Sequence, residues 1–349
     1  MFILAIQHGS IAPIWKTEAD NFTLHLWFCP AHQLVFQTVL TALENYMSDQ
    51  IQPPMRPAIF AKSLIHCLPL LNRGLTRPRR KANVLMLHFG RCGSTVVGNL
   101  LRQHPKIAWD AEILQSRKQN LLPECAITKN PKRLIRLRSL RATQPVFGFE
   151  LKPLPFMHLS SAQLNMSLPQ FLNQLQEFKV THLIFLSREH YLRQLASVTV
   201  AIEKNRYETV PGAESTLNRI RINCENTLMA GKPIKQLFDC YESISKQIRQ
   251  FGTTQNKIRF LELEYQRDIL GSPFKAFRKI CDFLRLTPSQ VVLKNAKVNT
   301  ESITEYVCNL QEIKDALQGT QYEWMTTQDE QIPSETISLI KNQRIHMVA

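Results

Sequence analysis

Short apolar runs and stretches of helical spacing alternate along the chain from residue 84 onward. A short apolar run is typical of a buried strand, and apolar residues three and four apart are typical of a helix. We therefore predict strands at 84–89, 146–152, 182–187 and 257–265, and helices at 95–104, 188–204 and 272–286. Ser272 and Pro273 suit the cap and the first turn of the last helix. This alternation predicts an α/β fold with a parallel sheet flanked by helices.

The same pattern divides the chain into three parts. Residues 1–80 show no clear alternation and form an N-terminal extension of unknown role, with a helix predicted at Leu34–Met47. The basic stretch LNRGLTRPRRKAN at 71–83 contains Gly74 and Pro78, which predicts a linker. We place the main domain at 81–330 and a C-terminal tail at 331–349.

Composition adds a strong basic charge to this picture. The 349 residues include 43 Lys and Arg against 28 Asp and Glu, a formal charge of +15. Such an excess indicates an anionic partner: a nucleic acid, a phosphorylated cofactor, an acidic glycan or a membrane surface. Aromatic residues are only 8% and do not cluster with the basic ones, which argues against nucleic acid.

Three sequence patterns that are absent limit the kind of protein further. No stretch of about 20 apolar residues occurs, so we expect no transmembrane helix, while a peripheral membrane contact stays open. The N-terminus lacks the pattern of a secretory signal, and we expect a cytoplasmic protein with reduced thiols. The eight cysteines are scattered without a CxxC pair, so we expect no metal site.

The segment GRCGST at 90–95 is the first candidate anion site. It follows a predicted buried strand and opens a helix, whose first N–H groups carry a partial positive charge. Gly90 and Gly93 allow close backbone approach, Arg91 adds a fork of donors, and Ser94 and Thr95 add hydroxyls. The segment departs from the ATP-binding pattern GxxxxGK[ST], because no Lys follows Gly93. The alternative is an ordinary turn with Ser94 as a helix cap.

The segment LSREHYLRQLAS is the second candidate. Arg188 directly follows the strand at 182–187, and Ser197 lies on the next helix, with Arg193 nearby. A strand-end arginine with a helical hydroxyl suits a second phosphate beside the first. The alternative is a basic surface helix with pairs such as Glu189–Arg193.

These segments resemble sulfotransferases that use 3′-phosphoadenosine-5′-phosphosulfate. FGRCGSTVVGNLL is similar to the 5′-phosphosulfate loop of carbohydrate sulfotransferases, and LSREHYLRQLAS to the 3′-phosphate segment of bacterial glycolipid and nodulation-factor enzymes. LELEYQRDILGSPFKAFRKICDFL resembles the late strand, loop and helix of the family, with Gln266 in place of a Glu and the aspartate at Asp268. The resemblance covers about residues 81–330.

The resemblance implies a P-loop-like sulfotransferase fold and a reaction. In that reaction, a sulfuryl group passes from 3′-phosphoadenosine-5′-phosphosulfate, the co-substrate, to a hydroxyl of a carbohydrate or glycolipid acceptor, without a metal. The residues that the resemblance places on this donor are Gly90, Arg91, Cys92, Gly93, Ser94, Thr95, Arg188 and Ser197.

The resemblance also implies roles for these residues. Arg91 and the N–H groups of the loop would neutralise the leaving phosphate, and Arg188 and Ser197 would hold the adenosine end. The catalytic base would be Glu112, with Asp110 as a neighbour that could serve instead. The alternative for Glu112 is a helix cap or a pair with a basic residue. His88 and His104 are better explained as a core group and a helix end.

Two further segments border the predicted site. The basic segment 115–141 suits either an anionic acceptor or a solvated helix, and 205–232 is predicted to be a loop followed by a polar helix near the acceptor. The competing function is a nucleotide kinase or NTPase with an atypical phosphate loop. The oligomeric state stays open.

Overall fold

The computed structural model describes residues 2–7, 10–15, 24–26, 80–114, 131–160, 164–203, 219–228, 230–294 and 302–329. The chain divides into two compact units, Met1–Thr76 and Arg77–Ala349. The predicted helix at Leu34–Met47 and the predicted tail at 331–349 lie outside the described residues.

The first unit contains a small sheet that the sequence pattern did not predict. Strands β1 (Phe2–Gln7) and β2 (Ser10–Trp15) are antiparallel, and β3 (Leu24–Leu26) pairs with β1 in parallel. The strand order is β2-β1-β3, so β2 lies at an edge. Pro13 is tolerated there because an edge strand does not need every N–H for pairing.

The second unit is built on five parallel strands in the order β5-β6-β4-β7-β8. This confirms the α/β class and the four predicted strands. The strands are β4 (Ala82–His88), β5 (Ile107–Glu112), β6 (Val146–Leu151), β7 (His182–Ser187) and β8 (Arg259–Glu264). Strand β5 was not predicted, because IAWDAE is an edge strand whose polar residues interrupt the apolar run. Glu112 therefore ends a strand, and its interpretation as a helix cap is wrong.

Helices cover both faces of this sheet. They are α1 (Ser94–Gln103), α2 (Pro131–Arg141), α3 (Leu168–Asn173), α4 (Tyr191–Glu203), α5 (Ile234–Thr254), α6 (Pro273–Phe283), α7 (Ile303–Tyr306) and α8 (Leu310–Leu317). Ser272 precedes α6 as predicted, but its side chain makes no capping hydrogen bond. The polar helix expected within 205–232 is absent from the part of that segment that the structure describes, and α5 begins just after it.

The core lies in two layers, one on each face of the sheet. Leu85 and Leu87 of β4 pack into one layer, and Val84 and Met86 pack into the other. Helices α4 and α5 contribute to the first layer, while α1 and α6 contribute to the second. Because both faces are covered, the central strands are apolar at nearly every position, which made them easy to predict.

The connections from β4 and β7 leave the sheet in opposite directions. The chain runs from β4 to β5 at one edge and from β7 to β8 at the other. Adjacent strands whose connections diverge in this way form a crevice at their carboxyl ends, where ligands of parallel α/β proteins bind. Both candidate anion segments begin at this point. Among the described helices, none combines the length and apolar character needed to cross a bilayer.

Candidate functional site

The loop between β4 and α1 has an unusual backbone conformation. Gly90, Arg91 and Gly93 have φ angles of 86°, 53° and 84°, in the left-handed region. Gly93 is the residue that precedes α1, and a glycine has no side chain with which to cap the helix. Cys92 and Ser94 are buried, while Thr95 is exposed. Such a turn at a helix start directs backbone N–H groups toward one point and suits an anion.

Neighbouring side chains explain why glycine is needed in this loop. A Cβ atom on Gly93 would lie 2.8 Å from Cγ2 of Ile269, in the π-helical turn Gln266–Leu270. A Cβ atom on Gly90 would lie 3.3 Å from Cε of Lys152. The loop is therefore closely packed on two sides. A side chain at Gly93 would collide with Ile269, and one at Gly90 would press against the end of the Lys152 side chain.

The structure brings the two candidate anion segments together. Arg188 Nη1 donates a hydrogen bond of 2.7 Å to the carbonyl oxygen of Arg91. Arg91 Nε donates one of 2.9 Å to Ser197 Oγ. Gln194, which no sequence pattern marked, donates one of 2.6 Å to the carbonyl oxygen of Gly90. The β4 loop and the first part of α4 thus hold each other in place.

Tyr265 supports this arrangement from the end of β8. The Arg188 guanidinium lies 4.4 Å from the centre of the Tyr265 ring, a cation–π distance. The same ring lies 3.4 Å from the position of a Cβ on Gly93. Tyr265 therefore contacts both anion segments. The sequence placed it at the end of the predicted strand 257–265 and in the segment LELEYQRDIL, but assigned it no role.

Arg193 has a structural role instead of the expected one near the anion site. It is buried, and it donates hydrogen bonds of 2.5 and 2.6 Å to the two carboxylate oxygens of Asp329. This pair attaches the segment after α8 to α4. The charge of Arg193 is thereby balanced by a carboxylate.

Glu112 lies among charged side chains at the carboxyl end of the neighbouring strands. Its Oε1 is 2.9 Å from Lys152 Nζ, and its Oε2 is 3.5 Å from His158 Nε2. Burial alone would raise the pKa of Glu112, but the His158 hydrogen bond and the Lys152 charge lower it to about 2. Glu112 is therefore an ionised carboxylate, and the expected pairing with a basic residue is present. Lys152 and His158 were not identified from the sequence.

Asp110, the alternative base, lies two residues earlier on β5. Its Oδ2 is 3.6 Å from Arg138 Nη1 on α2. The strand register shifts between Asp110 and Glu112, so the two carboxylates do not continue one regular alternation. The second part of the basic segment 115–141 is therefore helix α2, which forms an ion pair with the edge strand β5. Residues 115–130 lie outside the described part of the chain.

The two histidines near the loop have structural partners. His88 is fully buried, accepts a hydrogen bond of 3.1 Å from the Gly90 N–H at Nδ1, and lies 3.2 Å from Glu150 through Nε2. His104 follows α1 and lies 3.0 Å from the Thr287 carbonyl oxygen. Both interpretations, a core group and a helix end, agree with these contacts.

Three side chains at the carboxyl ends of β4, β5 and β6 are of the residue types that bind metal ions. One ligand atom from each of His88, Glu112 and Glu150 lies within 4.8 Å of the others. These groups already bind protein donors, since Lys152 reaches Glu112 and Trp109 Nε1 donates a hydrogen bond of 2.7 Å to Glu150. The lysine ammonium thus provides positive charge next to this group.

Comparisons with known proteins add only a weak structural likeness. No family model and no curated protein matches the chain. A solved structure of an unliganded sugar kinase from Janibacter sp. HTCC2649 is 9% identical, covers 60% of this chain and 97% of its own, and has a TM-score of 0.29. A likeness at that score carries no argument about function.

Proposed function

We propose that the protein transfers a sulfuryl group from 3′-phosphoadenosine-5′-phosphosulfate to a hydroxyl of a carbohydrate or glycolipid. The observation that carries this proposal is the hydrogen bond from Arg188 to the Arg91 carbonyl, which joins the two candidate anion segments at one crevice. A donor with phosphates at both ends of its ribose would engage both segments.

The donor would bind with its reactive end on the β4 loop. Backbone N–H groups of Gly93 to Thr95 and the Arg91 guanidinium would neutralise the 5′-phosphate, on which charge develops as the sulfuryl group leaves. Arg188 and Ser197 would hold the 3′-phosphate and so orient the sulfur for attack. Ser197 already accepts from Arg91, so the two ends of the donor would be bound by connected residues.

Glu112 would receive the proton of the acceptor hydroxyl. The acceptor oxygen forms a bond to sulfur while the bond from sulfur to the 5′-phosphate oxygen breaks. The electron pair of that bond goes to the phosphate of 3′,5′-bisphosphoadenosine, and the proton goes to the carboxylate. This scheme uses no metal, and the absence of a metal requirement stays a prediction.

A nucleotide kinase is the competing function, and one observation favours it. The β4 loop lacks the lysine of an ATP-binding loop, but Lys152 lies beside Gly90 and could supply an ammonium group there. Against this, Arg188 and Ser197 would have no phosphate to bind in a nucleotide without a 3′-phosphate, beyond their contacts with Arg91.

Calorimetry with three nucleotides tests the proposal. We expect 3′,5′-bisphosphoadenosine to bind more tightly than AMP, and Mg²⁺-ATP not to be hydrolysed. Equal affinity for the first two would overturn the assignment, and ATP turnover would favour the kinase. To identify the acceptor, the protein would be incubated with radiolabelled phosphosulfate donor and an extract of the cells that make it, and the labelled product would be identified. The cytoplasmic location stays a prediction.

A further inference from the structure

Lys152 is close to both the candidate base and the phosphate loop. It follows β6 directly, and its Nζ lies 2.9 Å from Glu112 Oε1. Its Cε would be 3.3 Å from a Cβ on Gly90, so the same side chain runs along the loop. A lysine is a flexible chain with a compact charge and three donors, which lets it change partners with little movement.

His158 can keep Glu112 in place without Lys152. The backbone N–H of Lys152 donates a hydrogen bond of 2.9 Å to His158 Nδ1. Because Nδ1 accepts this hydrogen bond, the ring N–H lies on Nε2, which is the atom that faces Glu112. The carboxylate thus has a partner fixed by the backbone in addition to the lysine.

Other charged groups near Glu112 belong to neighbouring elements. Among the described residues they include His88 on β4, Glu150 on β6, and the pair of Asp110 on β5 and Arg138 on α2. His88 lies close to Glu150, and Arg138 lies close to Asp110, so the Lys152 ammonium is the charge best placed to leave Glu112 for a new anion.

We propose that Lys152 is shared between Glu112 and the donor: it pairs with Glu112 until the donor's phosphosulfate binds on the β4 loop, and then turns to that anion. This inference rests on the proposed function. A carboxylate paired with an ammonium is a weak base, and loss of the pair strengthens it. Donor binding would thus prepare Glu112 to accept the acceptor proton.

A double-mutant cycle with 3′,5′-bisphosphoadenosine tests this sharing at neutral pH. Glu112→Gln removes the competitor for Lys152, so we expect the affinity of the nucleotide to rise roughly threefold to tenfold by calorimetry. Lys152→Met should weaken binding. In the Lys152→Met background, Glu112→Gln should change the affinity much less, because only direct repulsion by the carboxylate remains.

Two controls make the outcomes separable. Glu177→Gln breaks another Lys–Glu pair, with Lys132, and should leave the affinity unchanged. Lys152→Gln replaces Lys152→Met if that variant does not fold, as judged by circular dichroism. If the nucleotide binds the unmodified protein but Glu112→Gln has equal effects in both backgrounds, the sharing is wrong and the proposed function stands. If the nucleotide does not bind the unmodified protein, both are wrong.

Discussion

Two groups of residues with different chemistry lie at the carboxyl ends of the parallel strands, and we call them the anion half and the acid–base half of the candidate site. The anion half, formed by the β4 loop, Arg188 and Ser197, combines guanidinium groups with backbone N–H groups. The acid–base half, formed by Glu112, Lys152 and His158, places a carboxylate between two possible proton donors. This difference indicates that the anion half binds a charged ligand and that the acid–base half accepts a proton. Substitutions in the anion half should therefore act mainly on nucleotide affinity and those at Glu112 mainly on turnover, apart from the smaller change in affinity expected from the sharing of Lys152.

The largest effect is expected at Glu112. Glu112→Gln keeps the shape of the side chain but removes the proton acceptor, so turnover should fall by about 10²–10⁴ while nucleotide binding persists. Turnover with labelled donor and calorimetry on one preparation measure both. Unchanged turnover would contradict the assignment of the base, and Asp110→Asn would be the next variant.

Arg188 should give the next largest effect, and on binding. Arg188→Ala should weaken 3′,5′-bisphosphoadenosine roughly 10- to 150-fold, since a charge-assisted hydrogen bond contributes about 1.5–3 kcal/mol. AMP should be affected less.

Arg259→Ala is a matched control for this experiment. Arg259 also stacks on an aromatic ring, with 4.9 Å to the centre of Phe283, but it lies at the amino end of β8, whereas Arg188 lies at the carboxyl end of β7. Similar losses for both variants would show a general charge effect and would contradict a specific role for Arg188.

Gly148→Ala should disturb the acid–base half through packing. A Cβ there would lie 2.2 Å from the Trp109 ring, whose Nε1 binds Glu150. We expect a loss of about 1–3 kcal/mol in unfolding free energy by denaturant titration, and a lower kcat with an unchanged nucleotide Kd. Gly319→Ala is the comparison: Gly319 has φ 68°, and a Cβ added there would meet nothing within 4 Å, so the substitution should cost only about 1 kcal/mol.

The last prediction concerns the dependence of stability on pH. The pKa of Glu112 falls from 4.5 to about 2 on folding, so its ionised form stabilises the protein above about pH 5. That contribution is lost as the pH falls from 4.5 toward 2. Glu112→Gln should therefore cost on the order of 2 kcal/mol at pH 7 and less at low pH, as measured by urea unfolding. A difference that is constant with pH would contradict this.

Three of the four predicted strands, β4, β6 and β7, share burial on both faces, whereas β8 was predicted although it lies at the sheet edge. Strands β4 and β7 each contain an uninterrupted apolar run, VLML and LIFL, so their sequence alone identified them and the loops that follow. Strand β5 was missed because polar residues interrupt its apolar run. Strand β1 does have such a run, FILAI, but it was missed because residues 1–80 show no clear alternation of strand and helix patterns around it. Lys152, His158 and Gln194 were missed, and Tyr265 was assigned no role, because their roles depend on contacts between segments distant in sequence, which no local pattern reveals.

The strand order also determines when the candidate site can form during synthesis. Strand β4 lies at the centre of the sheet but emerges first of the five, and its partners β6 and β7 follow much later in the chain. Pairings between distant segments form slowly, because a long loop must close before any contact is gained. The carbonyl oxygens of the β4 loop accept hydrogen bonds from Arg188 and Gln194, which emerge later still. A nascent chain that stops before β7 therefore leaves this loop without those contacts.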